Sequence, residues 1–260
     1  NDFHGTLDPP TGANGRIGEI PAGGAEFFAA NAARLRAENP HTIMVSAGDN
    51  IGASSLLSGM FHDEPTVESL GEAGLQLSTV GNHEFDEGWD ELVRMQRGGC
   101  HPVDGCQDDT PFAGARYQYL SANVMVDPSR VDPVRLRRSG WKPPGTGPPT
   151  LFPGTAVREV GGVKVGFIGL ALTSTPTLVQ PMMLQGLTFR PEVEAGNQAA
   201  AELTAQGVRT IVVLLHAGGR PATGDANACE VRGQNVEIAA GLSPAIDVIV
   251  SGHTHRTYDC

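Results

Sequence analysis

Apolar positions in this chain fall into short unbroken runs separated by segments of helical periodicity. Residues 42–47, 77–80, 163–170, 210–215 and 246–250 are runs of this kind, and 119–124 is a weaker one. Continuous rather than alternating apolar character predicts strands covered on both faces. Between them, residues 22–38 place Phe28, Ala32 and Leu35 at helical spacing, and Asn39-Pro40 stops the pattern. Residues 65–74, 87–97 and 191–206 predict further helices. Strands that alternate with helices predict an α/β fold whose ligands sit beyond the carboxyl ends of the strands. Two stretches break the pattern. Residues 98–116 form a polar, cysteine-containing loop, and residues 126–154, with Lys142-Pro143-Pro144-Gly145, read as a surface insertion because apolar strands resume beyond it.

The length of 260 residues and the 40% hydrophobic content suffice for one large α/β domain, or at most two small ones. The 34 glycines and 19 prolines indicate many loops. Net charge is -11, and no basic run offsets it; Arg135, Arg137 and Arg138 come nearest. That balance argues against binding duplex nucleic acid, which is met with clustered cations. A phosphorylated substrate would have to be held locally, by metals or by a few cations. No apolar run exceeds about eight residues, against the roughly 20 needed to span a bilayer. No signal peptide is visible. The chain opens on Asn1-Asp2-Phe3-His4 with no strand before it and stops at Cys260. Both ends read as clipped, so the missing targeting segment carries little weight.

Four cysteines are present, two of them close together in Gly99-Cys100-His101-Pro102-Val103-Asp104-Gly105-Cys106. An even count with one local pair suggests two disulfides and a secreted, periplasmic or cell-surface protein. Cys100–Cys106 is the natural local pair, which leaves Cys229–Cys260. The alternatives are free thiols or a metal site built from Cys100, His101 and Cys106, although this spacing does not suit common zinc knuckles.

The polar residues that follow the apolar runs carry the chemistry. Asp49 follows the first run, Asn82-His83 the second, His216 the run at 210–215, and His253 with His255 the last; Asp2 and His4 open the chain. Each alone has an ordinary explanation: a turn aspartate, an exposed loop, a satisfied core histidine. Separate strands of one sheet can nevertheless bring such loop residues together. Gly81-Asn82-His83-Glu84-Phe85-Asp86 is the most distinctive piece.

Taken in order, Asp2-x-His4, Gly48-Asp49, Gly81-Asn82-His83-Glu84, His216 and Gly252-His253-x-His255 resemble the motif set of the calcineurin-like metallophosphoesterase superfamily. Asn-Asp-Phe-His-Gly, Gly-Asn-His-Glu-Phe-Asp and Ser-Gly-His-Thr-His are similar, more narrowly, to the N-terminal catalytic domain of the secreted 5'-nucleotidase family. The resemblance covers essentially the whole chain. It implies a four-layer α/β/β/α sandwich with mixed sheets and a metal site at the strand carboxyl ends. It also implies two divalent ions, drawn from Zn, Mn, Fe or Co. Asp2, His4 and His255 would bind one, Asn82, His216 and His253 the other, and Asp49 would bridge them. A mixed nitrogen and oxygen donor set with no cysteine suits those metals better than Ca or Mg, and suits an open site better than a closed structural one. His83 and Asp86 would form a catalytic dyad, with Asn82 and His83 also touching substrate. Asp86 could alternatively cap the next helix.

The implied reaction is in-line hydrolysis of a phosphate ester by metal-activated water, with nucleoside 5'-monophosphates as the leading substrate class. Cyclic nucleotides, nucleotide sugars and a thiosulfohydrolase reaction are the alternatives within the family, and a metal-stabilised surface-binding module is the non-enzymatic one. His255 stands where several nucleotidases carry Gln or Asn, as in the wider superfamily. In the family a separate C-terminal domain grips the substrate, and this chain is expected to lack it.

Overall fold

A computed structural model describes residues 1–145, 147, 149–223 and 230–259. Two sheets form its centre. In the first, β1 (Met44–Ser46), β2 (Leu75–Thr79) and β3 (Gln118–Leu120) run parallel in that order. In the second, β4 (Thr155–Val160) pairs antiparallel with β5 (Val163–Leu170), which is followed in parallel by β6 (Thr210–Leu215) and β7 (Val248–Ser251). Leu77 and Leu120 from the first sheet pack against Ala156, Phe167 and Leu214 from the second. Burying each of the larger side chains contributes about 1.5–3 kcal/mol.

Helices cover the outer faces. α1 (Gly24–Glu38) leads into the first sheet and stays largely exposed, tied down where Arg36 donates to the carbonyls of Ala73 and Gly74. α2 (Glu64–Glu72) and α3 (Trp89–Arg97) bury Val67, Leu70, Leu92 and Met95 against Leu75, Tyr117 and Tyr119. α4 (Pro133–Ser139) lies beside α3. On the far side, Ala195, Ala199, Ala200 and Leu203 of α5 (Glu192–Ala205) and Ile238 of α6 (Gln234–Gly241) pack on Ile168, Leu170, Ile211, Val213 and Leu215. The result is an α/β/β/α sandwich with one parallel and one mixed sheet. Among the described residues, no helix is long and apolar enough to cross a membrane.

Two expectations change. The strand read over 119–124 is divided at Ser121-Ala122-Asn123 into Gln118–Leu120 and Val124–Val126. There the Asn123 amide mimics a strand partner, donating to the Ala171 carbonyl and accepting from the Ala171 N–H. The segment 126–154 is not merely a surface insertion. Asp132 caps α4, Pro133 occupies its first turn, and Val131, Leu151 and Phe152 are buried. Arg135 is spent structurally: it pairs with Asp90 at 2.5 Å and lies over the Trp89 ring.

Candidate metal centre

The carboxyl ends of β1, β2, β6 and β7 meet at one place, joined by the first residues of the chain. Asn1 bridges the two sheets, donating to the Ser251 carbonyl and accepting from the Ala47 N–H. The N–H groups of Asp2, His4 and Gly5 then donate to the carbonyls of Gly48, Asp49 and Asn50. Residues 2–5 are thereby laid alongside the loop that carries Asp49.

Two groups of donors result. Asp2, His4 and His255 each place a ligand atom within 4.8 Å of the others, and so do Asp49, His216 and His253. Nε2 of His4 lies 3.1 Å from Nε2 of His255 and 3.9 Å from Oδ2 of Asp49. Nε2 of His216 lies 3.1 Å from Oδ2 of Asp49 and 3.2 Å from Oδ1 of Asn82. Oδ2 of Asp49 thus lies within 4 Å of a histidine from each group, and the side-chain oxygen of Asn82 reaches the second.

The surroundings aim these donors inward. His216 donates from Nδ1 to the Ala47 carbonyl at 2.7 Å, and Nδ1 of His4 faces the Gly52 carbonyl at 2.9 Å. Such a bond to one ring nitrogen sets the tautomer and turns the other lone pair towards a cation. Asp2 is fixed by the His253 N–H, 2.7 Å from its Oδ1. The backbone is strained to achieve this. Asp2, His4, Asp49, His253 and His255 all have left-handed φ, from 48° to 76°, a region side chains other than glycine adopt at a cost and retain mostly at functional sites. Gly81 has a different reason to be glycine. A Cβ there would lie 2.1 Å from Oδ1 of Asp49 and 2.7 Å from the His216 ring.

Electrostatics favour a cation at Asp49. Burial opposes its ionisation, but the hydrogen bond and charge of His216, then the His83 N–H, hold its carboxyl below the usual range. Burial pulls His216 down, and Asp49 more than compensates, so the imidazole is raised. His253 is lowered, by burial first and then by the charge of His216, and so favours the neutral form that ligates metals. Imidazole, amide and carboxylate donors in open groups fit divalent transition ions.

His83 stands at the edge of the centre, its ring 5.0 Å from that of His4. Its N–H donates to Oδ1 of Asp49, and its Nδ1 lies 2.8 Å from Oδ2 of Asp86. The bond to Asp86 raises the His83 imidazole above its ordinary pKa despite partial burial. Asp86 does not cap α3, which begins after Gly88 without a side-chain cap; its carboxylate instead also accepts the Ala53 N–H.

No protein-family model matches the chain. Known proteins do. The endonuclease YhcR of Bacillus subtilis is 34% identical over 260 residues, 98% of this chain and 19% of YhcR. A probable 5'-nucleotidase of Treponema pallidum is 31% identical across 98% of this chain and 35% of its own length. The crystal structure of a 5'-nucleotidase precursor from Thermus thermophilus superposes with a TM-score of 0.69 at 28% identity, covering 98% of this chain and 40% of that one. The chain belongs to the 5'-nucleotidase family of metallophosphoesterases. It spans between about a fifth and two-fifths of the length of these relatives.

Sequence reasoning passed over Glu84, though it lies inside the most distinctive motif. The residue is buried, and its carboxylate accepts the N–H groups of Asp49, Asn50 and Gly81. Burial, then the nearby Asp49 charge, pushes its pKa up to about 7. Cys100 and Cys106 form a disulfide with Cα atoms 4.3 Å apart, so they are not metal ligands. The expected Cys229–Cys260 pair lies outside the described residues.

Proposed function

We propose that this chain is the catalytic domain of an exported phosphohydrolase that cleaves phosphate esters, with nucleoside 5'-monophosphates as the leading substrates. The observation that carries this reading is Asp49, a buried carboxylate set between Asp2, His4 and His255 on one side and Asn82, His216 and His253 on the other, with the His83–Asp86 pair beside them. Asp2, His4 and His255 would hold one divalent ion and Asn82, His216 and His253 the other, with Asp49 shared. When bound, two such ions polarise phosphoryl oxygens and acidify water.

The remaining work falls to the protein. Asp86 engages Nδ1 of His83, which leaves Nε2 to meet the substrate. A protonated His83 can stabilise charge on the phosphoryl group or donate to the departing oxygen. Asn82, whose side-chain oxygen lies 3.2 Å from Nε2 of His216, would help orient the same group. The fixed Asp2 and Asp49 loops hold these positions before substrate arrives, so little reorganisation is needed.

Export is supported by the Cys100–Cys106 disulfide, a bond that persists in oxidising compartments. A substrate-selecting domain outside this chain is supported by the fraction of each relative that the chain spans.

The test is hydrolysis of a panel before chelation, after it, and after return of Zn or Mn. The panel holds AMP, a 2',3'-cyclic nucleotide, a nucleotide sugar, thiosulfonate-type substrates and an oligonucleotide. Activity lost on chelation and restored by metal is expected, with monophosphates preferred. Undiminished activity in the chelated protein would end the proposal. A panel-wide lack of activity with both metals loaded would favour a binding module.

A further inference from the structure

A second constellation of metal-ligating side chains lies outside the centre just described. His62, Glu87, Glu91 and His101 each place one ligand atom within 4.8 Å of the others. They come from three separate segments: the turn before α2, the start of α3, and the loop closed by Cys100–Cys106. The two imidazoles stack face to face, with centroids 3.8 Å apart and planes inclined by 15°. Nδ1 of His62 lies 2.6 Å from Oε2 of Glu87. Oδ2 of Asp104 reaches both rings, at 2.9 Å from Nε2 of His62 and 3.2 Å from Nδ1 of His101.

Charge points to a cation. Glu64, Glu87, Glu91 and Asp104 converge here, and Arg94 is committed to Glu64 and Glu91. Protonating both histidines would place two positive charges face to face, which is costly at this separation. One divalent ion can serve both rings and two carboxylates at once, and nitrogen with carboxylate oxygen suits Zn²⁺. Asp104 holds both rings, its carboxylate meeting Nε2 of His62 and its backbone N–H donating to Nδ1 of His101 at 3.1 Å, which leaves Nδ1 of His62 and Nε2 of His101 for a cation; a carboxylate on the far ring nitrogen is the usual companion of histidine ligands. Arg94 leaves Glu91 with lone pairs to spare, since a carboxylate accepts at about four positions. A cavity of about 120 Å³ adjoins the cluster, lined in part by His62, His83, Asp86, Glu87 and Glu91.

We propose that His62, Glu87, Glu91 and His101 form a third divalent-metal site, zinc-like in donor chemistry and oriented by Asp104. The ion would pin the disulfide loop to the start of α3. Because Glu87 follows Asp86 directly, it would also brace the segment that carries the His83–Asp86 pair.

The experiment uses the purified protein stripped with a chelator and titrated with Zn²⁺ by calorimetry. Crystals soaked in Zn²⁺ are also measured on both sides of the zinc absorption edge. An anomalous peak between His62 and His101 is expected, separate from any near Asp49. His62→Ala and His101→Ala should each lose that peak and one binding equivalent while keeping those of the Asp49 centre. Asp104→Asn should retain the peak with affinity reduced about 10–100-fold. Anomalous density near Asp49 with none between His62 and His101 would overturn the proposal. So would equal stoichiometry in the parent and in variants that keep the parent circular dichroism spectrum. Because the two centres are read separately, failure here leaves the proposed phosphohydrolase site standing.

Discussion

The carboxylate of Glu84 accepts the backbone N–H of Asp49 at 2.8 Å, holding the main chain of the shared carboxylate from across the centre. It does the same for Asn50 and Gly81, so one buried side chain ties the loops after β1 and β2 together. Glu84→Gln keeps a single acceptor oxygen and turns an amide N–H towards backbone donors. Leaving buried donors unsatisfied should cost about 1–3 kcal/mol. Urea unfolding in chelator should show that loss, and Zn²⁺ titration should show affinity at the Asp49 centre weakened by about tenfold or more. Parent-like values in both would mean that the network is passive.

The His83–Asp86 pair makes a separate prediction. Neither residue belongs to the two donor groups, yet the His83 ring lies against His4. His83→Asn should lower kcat by about 10²–10⁴ with bound metal unchanged. Asp86→Asn should lower it less, since the imidazole remains but loses the carboxylate that orients it and favours its charged form. Steady-state kinetics alongside metal analysis separates these effects from metal loss. Full turnover in His83→Asn would remove the residue from the chemistry.

The layers of the fold were legible because strands covered on both faces write themselves as unbroken apolar runs. Val163–Leu170 and Thr210–Leu215 match their expected limits. The hairpin strand Thr155–Val160 was not legible, since Arg158 and Glu159 interrupt its apolar character and it borders the Pro- and Gly-rich segment. Convergence of Asp49, His216, His253 and His255 could be expected from their places after strands, while Asp2 and His4, which open the chain, were expected there from the family resemblance alone. Their left-handed backbone could not, because local sequence predicts ordinary conformations for histidine and aspartate. Glu84 was missed for a related reason. A carboxylate that serves backbone N–H groups leaves no spacing signal of its own. His62 and His101 are 39 positions apart by their numbering, and only the fold stacks them.

Gly81 tests how tightly the centre is built. A Cβ at this position would overlap Oδ1 of Asp49 and crowd both the Asp49 N–H and the His216 ring. Backbone and buried rings cannot yield cheaply in a packed interior. Gly81→Ala should therefore cost about 1–3 kcal/mol of stability and displace both Asp49 and His216. Loss of bound metal with the sheets intact by circular dichroism is the expected outcome. Normal metal content would show that the two loops can separate without harm.

Alkaline pH should reveal the core beneath α2 and α3. Tyr117 and Tyr119 are fully buried, and their hydroxyls meet at 3.1 Å. Burial, the largest cause, raises both pKa values above the ordinary 10.0. For a group raised on folding, its share of stability is intact below the unfolded value and declines as pH climbs towards the folded one. Stability should thus begin to fall near pH 10, where the unfolded chain ionises its tyrosines and the folded one cannot. Each tyrosine adds a slope of about 1.4 kcal/mol per pH unit. Tyr117→Phe should cost about 1 kcal/mol at neutral pH and remove one such contribution, so its decline above pH 10 should be shallower than that of the parent. Urea unfolding at intervals between about pH 8 and pH 11 makes the comparison across the window in which the unfolded tyrosines ionise. Parallel declines in the two proteins would mean that Tyr117 ionises as readily in the folded state as in the unfolded one.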